Sequence, residues 1–208
     1  MLAATGEKVS TSRIASRLDV AQASVTGMIK KLAEMKLLDY SPYRGVSLTT
    51  SGKKIALETI RHHRLLELYL QEAMGYTWDK VHEEAEKLEH HISEEFEEKM
   101  DEVLGFPSFD PHGAPIPTKD GEIPERDLKP LTEIPLGQKV VIALVQDEDP
   151  EKLRYLGERK LYPKTEIEVV EQEPFNGPLQ IIVGVEKCQL GRELCETIFV
   201  ETPPKAKA

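Results

Sequence analysis

The sequence predicts a multidomain chain that is mainly α-helical and carries a small β domain near its C-terminal end. Up to Gly105, apolar residues recur at spacings of three and four, which indicates helices that face a core. Seven prolines then lie between Gly105 and Pro135, too many for a helix or a central strand. Short runs rich in β-branched residues follow, as is typical of strands. The length of 208 residues suits one large or two modest globular domains.

Residues 1–54 predict a winged helix-turn-helix domain. In a first short helix Ile14 and Leu18 lie one turn apart, and Asp19-Val20 ends it. The second helix has one apolar stripe at i, i+3, i+4 and i+7, formed by Val25, Met28, Ile29 and Leu32. Strand-like runs at 37–40 and 46–48 flank the turn-forming stretch 41–45, which predicts a hairpin.

Residues 55–106 predict a helical domain. Its long first helix follows the capping residues 49–51 and ends at Gly75. The next helix starts near Thr77 and has a core stripe formed by Val81, Ala85, Leu88 and Ile92. Ser93 can cap a last helix before Gly105.

The remaining chain divides into a Pro-rich linker at 107–132, a β domain at 133–201 and a tail at 202–208. Strands are predicted at 140–145, 165–170, 179–185 and 198–200. A turn signal lies at Asn176-Gly177, and a short helix is predicted at 153–161. Several short strands within about 70 residues indicate a small barrel.

Charge is unevenly distributed along the chain. The net charge is −10, yet Met1 to Arg64 has 11 Lys and Arg against 5 Asp and Glu. A basic part joined to an acidic part rich in His and Glu predicts two partners of opposite sign, a polyanion and cations. Apolar runs fall short of the roughly 20 residues of a membrane span, so no membrane partner is expected. Two cysteines and a start without a signal-peptide core favour the cytoplasm.

The segment 82–91 carries the strongest chemical signal. At about 100° per residue, one helical arc holds four candidate ligands, namely His82, Glu86, Glu89 and His90. On the preceding helix, His63 and Glu67 lie one turn apart. Carboxylates and imidazoles without a thiolate favour a hard ion such as Mn(II) or Fe(II) over structural zinc. A solvated acidic face with incidental histidines is the alternative, which the adjoining apolar stripe disfavours because unpaired carboxylates at a core margin are costly.

Enzymatic patterns fail at specific positions. His82-Glu83 lacks the second His of the zinc-protease helix, and the di-iron pattern Glu-x-x-His is not met at His63, His90 or His91. Glycine patterns for phosphates or dinucleotides do not occur. The sequence therefore predicts a protein that is not an enzyme.

The second helix of the winged helix is the candidate DNA-reading element. Residues near its start can reach base edges or phosphates in a major groove, namely Gln22, Ala23, Ser24 and Thr26. Phosphate contacts are expected from basic residues, namely Lys30, Lys31 and Arg44. A winged helix that binds protein, with ordinary surface lysines, is the alternative.

Three stretches of the sequence resemble the diphtheria toxin repressor and manganese transport regulator family of metal-dependent transcriptional regulators. The winged helix has SVTGMIKKLAEMKLLDYSPYRGVSLTTSGKKIA, the helical part has HRLLELYL and HEEAEKLEHHISEEF, and the linker has LGFPSFDPHGAPIP. The segment LRYLGERKLYPKTEIEVV resembles the SH3-like, FeoA-type domain of longer members. The resemblance covers nearly the whole chain.

The resemblance implies two metal sites. Glu86, Glu89 and His90 match the principal site, which His63 joins or adjoins, and His63, Glu67 and His82 match an ancillary site. Glutamate at position 86, where iron-responsive members have Cys, favours manganese. Asp149 falls near an acidic ligand of the SH3-like domain, whereas Lys152 replaces a neutral amide. Members begin with a helix that carries an Asp or Met ligand, which the stretch from Met1 to Ala4 does not provide.

Together these features predict a homodimeric, manganese-responsive regulator that binds a double-stranded DNA operator. Bound metal would restrain the two winged-helix domains of the dimer. The regulator would then repress metal-uptake genes when metal is plentiful. Two alternatives stay open at this point. One is an iron-responsive repressor of the same family, and the other is a metal-storage or metal-delivery protein whose winged helix binds protein.

Overall fold

The computed structural model describes residues 8–42, 44–146 and 148–203. The chain divides into two compact units, with the boundary between Thr59 and Ile60. That boundary lies within a single helix, α3 (Thr50–Glu72), rather than at the predicted position after residue 54. Within the described residues, no helix combines the length and apolarity that crossing a membrane requires.

The first unit contains the predicted winged helix. Helices α1 (Thr11–Leu18) and α2 (Gln22–Glu34) precede strands β1 (Leu38–Ser41) and β2 (Gly45–Leu48), which pair antiparallel. A small core joins the helices to the hairpin and consists of Ala15, Val25, Ile29 and Val46. Met28, predicted for this apolar stripe, is 57% exposed. The predicted turn includes Tyr43, which lies outside the described residues.

The second unit begins with α3 and continues with α4 (Val81–Leu88) and α5 (Glu94–Val103). Their core holds Leu65, Leu66, Leu70, Val81, Ala85, Met100 and Ile116. Helix α4 is shorter than its stripe predicts, because the N–H of His91 already bonds to the carbonyl of Leu88 in a tighter turn. Ile92 therefore lies beyond the helix. The Pro-rich stretch has no helix or regular strand before Lys129, as predicted, yet Ile116 from this stretch is fully part of the helical core.

An antiparallel sheet completes the second unit, with strand order β3-β8-β4-β5-β6-β7. Its strands are β3 (Lys129–Pro130), β4 (Lys139–Val145), β5 (Glu166–Gln172), β6 (Leu179–Val183), β7 (Glu186–Leu190) and β8 (Ile198–Glu201). A 3₁₀ turn (Leu131–Glu133), α6 (Pro150–Glu158) and α7 (Arg192–Thr197) cover its core. Cys195 is buried there, and burial raises the pKa of its thiol to about 12. The predicted small β domain is confirmed.

Candidate metal centre

Helices α3 and α4 bring together His63, Glu67 and His82. The Nε2 atom of His63 lies 3.0 Å from both Glu67 Oε1 and His82 Nδ1, and His82 Nδ1 lies 3.1 Å from the same carboxylate oxygen. Glu67 is only 3% exposed. These ligand atoms are close enough together to hold one metal ion. The three residues are those that the family resemblance assigns to the ancillary site.

A second group of possible ligands contains Glu67, Asp110 and His112, all of them buried. Glu67 belongs to both groups, and its second oxygen, Oε2, lies 3.9 Å from His112 Nδ1. Sequence reasoning missed Asp110 and His112 because they belong to the Pro-rich stretch that reads as a linker. The signal was present in the family string LGFPSFDPHGAPIP, where both residues stand side by side with Pro111.

The loop at 110–114 holds its two possible ligands, Asp110 and His112, in defined orientations. Asp110 Oδ1 accepts hydrogen bonds from the backbone N–H groups of His112, at 2.8 Å, and Ala114, at 2.9 Å. His112 Nε2 lies 2.9 Å from the carbonyl oxygen of Trp78. Because a carbonyl can only accept, Nε2 carries the proton and Nδ1 faces Glu67. A neutral His112 would thus present a lone pair to the cluster, the arrangement usual for a metal-ligating histidine.

The imidazole groups around Glu67 carry protons that a bound cation could replace. Burial alone would raise the pKa of Glu67, but the neighbouring imidazole groups of His112, His63 and His82 lower it well below its usual range. Burial lowers the pKa of His63, yet its hydrogen bonds to Glu67 and Glu89 raise it to about 9 overall. Burial, and then repulsion by Glu67, raises the pKa of Asp110 to about 6. Buried carboxylates are therefore balanced by imidazolium groups, whose protons a divalent ion would displace.

The residues predicted for the principal site are more widely spread. Glu89 Oε2 lies 2.7 Å from His63 Nδ1, and Glu89 Oε1 lies 3.3 Å from His90 Nε2. Glu86 Oε1 lies 3.7 Å from His82 Nε2, and the Glu86 side chain is 63% exposed. Among the described residues, Glu86, Glu89 and His90 do not form a single ligand group. The reason is that α4 ends at Leu88, so His90 no longer follows the helical arc on which the prediction relied.

The β domain brings the acid Glu148 close to His82. Asp149 Oδ1 accepts a hydrogen bond from the N–H of Glu151 at 2.9 Å and thereby caps α6. The neighbouring Glu148 instead faces the cluster, with its Oε2 atom 4.0 Å from His82 Nε2. The Nζ atom of Lys152 lies 3.4 Å from Glu193 Oε1. A ligand role for Asp149 stays a prediction.

The candidate DNA-reading residues lie on the surface of the first unit. Gln22, Ala23 and Ser24 are exposed at the start of α2. Thr26 is half-buried, and its hydroxyl donates to the carbonyl of Gln22 at 2.8 Å. The basic side chains of Lys30, Lys31 and Arg44 are also exposed. Exposure leaves these groups available for phosphates or base edges, as the prediction requires.

Family models match almost the whole chain. Residues 1–46 match the N-terminal DNA-binding domain of the iron-dependent repressors, residues 49–118 match their metal-binding and dimerisation domain, and residues 129–202 match the FeoA domain. The assignment of the β domain to the FeoA type is thus confirmed.

Individual relatives agree with this assignment. The iron-dependent repressor IdeR of Mycobacterium leprae is 31% identical over 202 residues, which cover 91% of this chain and 87% of the relative. The regulator MntR of Oceanobacillus iheyensis is 38% identical over 95 residues, or 46% of this chain and 64% of the relative.

Solved structures resemble the whole chain. A manganese-dependent transcriptional repressor in complex with manganese has a TM-score of 0.86 and 37% identity, and the match covers 94% of this chain and 91% of the other. With matching domains, a matching fold and full-length relatives, the chain belongs to the diphtheria toxin repressor family of metal-dependent transcriptional regulators.

Proposed function

We propose that this chain is a transcriptional repressor that binds operator DNA in response to Mn(II). A metal-responsive repressor, not an enzyme, is what the family and its named relatives support. The observation that carries the proposal is the pair of ligand groups sharing Glu67, placed in the part that matches the metal-binding domain. The choice of manganese is the finer step and rests on ligand chemistry.

The ligands of both groups are carboxylates and imidazoles. Both cysteines of the chain belong to the β domain, where Cys195 is part of the core and Cys188 packs against it. Without a thiolate, the donors suit Mn(II) or Fe(II), and carboxylate-rich sites suit manganese in particular. The structural neighbour solved with manganese supports this choice, whereas the iron-dependent relatives keep Fe(II) as the second candidate.

We further propose that Glu67 would help to hold two ions, one in each group of possible ligands. Its Oε1 atom contacts His63 and His82, while its Oε2 atom faces His112, so each carboxylate oxygen serves a different group. One ion would tie α3 to α4, and the other would tie α3 to the 110–114 loop. The principal site predicted from Glu86, Glu89 and His90 would need these side chains to gather around an ion.

The proposed mechanism is a restriction of movement on metal binding. Ions that join α3 to its neighbours reduce the conformational freedom of the helical domain, and thereby the entropy lost on binding DNA. In a homodimer, the two recognition helices must match successive major grooves, spaced roughly 34 Å apart. Metal and DNA then favour the same state, so each raises the affinity for the other.

Dimerisation is expected in the helical domain, which matches a dimerisation domain. Large apolar side chains lie on the surface of α5 and just beyond it, with Phe96 43%, Val103 69% and Phe106 69% exposed. A second copy covering this surface would bury them.

A repressor of metal-uptake genes would act where chromosomal DNA is found, which for a bacterial-type regulator of this family is the cytoplasm.

Fluorescence anisotropy tests the proposal. The full chain is titrated onto its own upstream DNA at fixed salt with Mn(II), with Fe(II) under anaerobic conditions, and with EDTA. We expect tight binding with Mn(II) and weak binding with EDTA. His82→Gln should lose the metal response, whereas Lys119→Gln, which breaks only an exposed ion pair with Glu98, should keep it.

Three other outcomes would each contradict part of the proposal. Stronger activation by Fe(II) than by Mn(II) would make the chain an iron-responsive repressor. Tight metal binding with no salt-dependent DNA affinity would favour the storage or delivery protein. An unchanged response in His82→Gln would contradict the candidate metal centre.

A further inference from the structure

We infer that Arg126 is a positioning residue through which the β domain holds the metal-binding loop at 110–114. The inference rests on the proposed function, in which Asp110 and His112 serve as ligands. Arg126 lies in the stretch between the helical and β parts, where the sequence offers no chemical signal. Its contacts join three segments that are distant along the chain.

Both terminal nitrogens of the Arg126 guanidinium group have partners, and its face packs on an aromatic ring. Its Nη1 atom donates to the carbonyl oxygens of Ala143, at 3.1 Å, and Gly113, at 3.4 Å. Its Nη2 atom lies 3.0 Å from Glu201 Oε2, and its Cζ atom lies 4.4 Å from the ring centre of Phe109. The side chain is only 18% exposed. The planar guanidinium group presents five donors in a fixed fork, whereas the ammonium group of lysine offers three donors from a single nitrogen and no fork.

The acceptor at Ala143 arises from an irregularity in β4. The register of β4 against β8 shifts between Ile142 and Leu144, so Ala143 has no partner in this ladder. A β-bulge of this kind leaves a backbone group unpaired and bends the strand. Arg126 supplies the missing donor at that position.

The metal-binding loop lies directly against the same part of β4. A Cβ atom added to Gly113 would approach the carbonyl oxygen of Ala143 to 2.0 Å, and Gly113 has a φ of +88°. The N–H of Val145 donates to the carbonyl of His112 at 2.9 Å. Arg126 therefore bonds to both sides of the junction, the loop at Gly113 and the strand at Ala143.

Holding the backbone at His112 and Gly113 sets the position of the His112 ring. The ring is anchored at its far side by the carbonyl of Trp78, so its Nδ1 atom can meet Glu67 only if the loop backbone stays in place. Ligand geometry must be maintained to about 0.5 Å for tight binding. Loss of an outer-shell partner typically lowers metal affinity by about 10-fold to 100-fold, and we expect this range for loss of the Arg126 fork.

The test measures Mn(II) binding by electron paramagnetic resonance of the free ion, using the full-length chain. Arg126→Met keeps the aliphatic stem and removes the donors. We expect the affinity for the ion held by Asp110 and His112 to fall by about 10-fold to 100-fold. The ion held by His63 and His82 should keep its dissociation constant. Arg159→Met alters an arginine of the β domain that stacks on Tyr155; this variant is the matched control and should leave both ions unaffected.

Additional variants separate positioning from folding. If Arg126→Met does not fold, Arg126→Lys keeps charge and stem, and should still weaken the same single ion. Equal weakening of both ions, together with a lowered melting temperature of the metal-free protein, would show a merely structural role and overturn the inference.

The proposed metal centre is tested separately with His112→Gln. If this variant loses one ion while Arg126→Met retains both at full affinity, the metal centre stands and the positioning role is wrong. If His112→Gln itself binds Mn(II) as the unmodified chain does, His112 is not a ligand, and the inference about Arg126 fails with that part of the proposed function.

Discussion

Replacing Glu67 by Gln probes both ligand groups at once, because this buried carboxylate is their common member. Glutamine keeps the size of the side chain and one carbonyl oxygen, but it removes the negative charge and replaces the second oxygen by an amide. Both ions should therefore lose a charged ligand. We expect Mn(II) affinity to fall by more than the roughly 10-fold to 100-fold associated with outer-shell changes.

The same substitution should alter the stability of the metal-free protein in a pH-dependent way. Carboxylate partners raise the pKa of His63 from 6.5 to about 9. At about 1.4 kcal/mol per pH unit, this shift corresponds to a stabilisation of about 3 kcal/mol. Both Glu67 and Glu89 contribute to this stabilisation of protonated His63. Loss of the Glu67 contribution should therefore lower the free energy of unfolding by about 1–2 kcal/mol.

The direction of the pH dependence follows from the raised pKa. Stabilisation of protonated His63 is fully present below pH 6.5 and disappears as the pH rises through about 9. In urea unfolding of the metal-free protein, Glu67→Gln should thus be destabilised at pH 6, and the difference from the unmodified chain should shrink near pH 10. Glu98→Gln, which removes an exposed carboxylate paired with Lys119, is the control.

Two results would refute this reasoning. A stability difference that is equal at pH 6 and pH 10 would show that ion pairing of His63 does not contribute. Binding of two Mn(II) ions at unchanged affinity would show that Glu67 is not the shared ligand.

Three further predictions concern protons, the loop and DNA. Mn(II) binding should release protons, and the affinity for Mn(II) should rise between pH 6.5 and about 9 because His63 must lose its proton. Calorimetry of Mn(II) binding in buffers of different ionisation enthalpy checks this release. A binding heat that does not depend on the buffer would contradict it. Gly113→Ala should lower the free energy of unfolding by about 1–3 kcal/mol and weaken metal binding, since its Cβ would collide with Ala143; equal unfolding midpoints in urea would disprove the close packing. Lys30→Ala and Lys31→Ala should each reduce the salt dependence of DNA affinity by about one unit of slope without changing operator preference; an unchanged slope would place both lysines away from the phosphates.

Much of the architecture depends on short-range patterns that are visible in the sequence. The apolar spacing of Val25 and Ile29 orients α2 toward its core, and the spacing of His63 and Glu67 places both ligands on one face of α3. Both patterns extend over one helical turn, so backbone geometry alone relates the residues. The helices of the first two domains could therefore be predicted, and the short β-branched runs likewise predicted the small β domain.

Tertiary structure decides which residues come together in the candidate metal centre. His112 reaches Glu67 only because the Pro-rich stretch folds back and is held against β4, and no local periodicity links residues so far apart. The end of α4 at Leu88, which removes His90 from the predicted arc, depends on a turn and not on the apolar pattern. Which acid of the β domain faces His82 depends likewise on packing, since Asp149 caps α6 and Glu148 is left toward the cluster. Local spacing determines which side chains share a helix face, whereas burial and long-range backbone contacts determine which faces and loops meet.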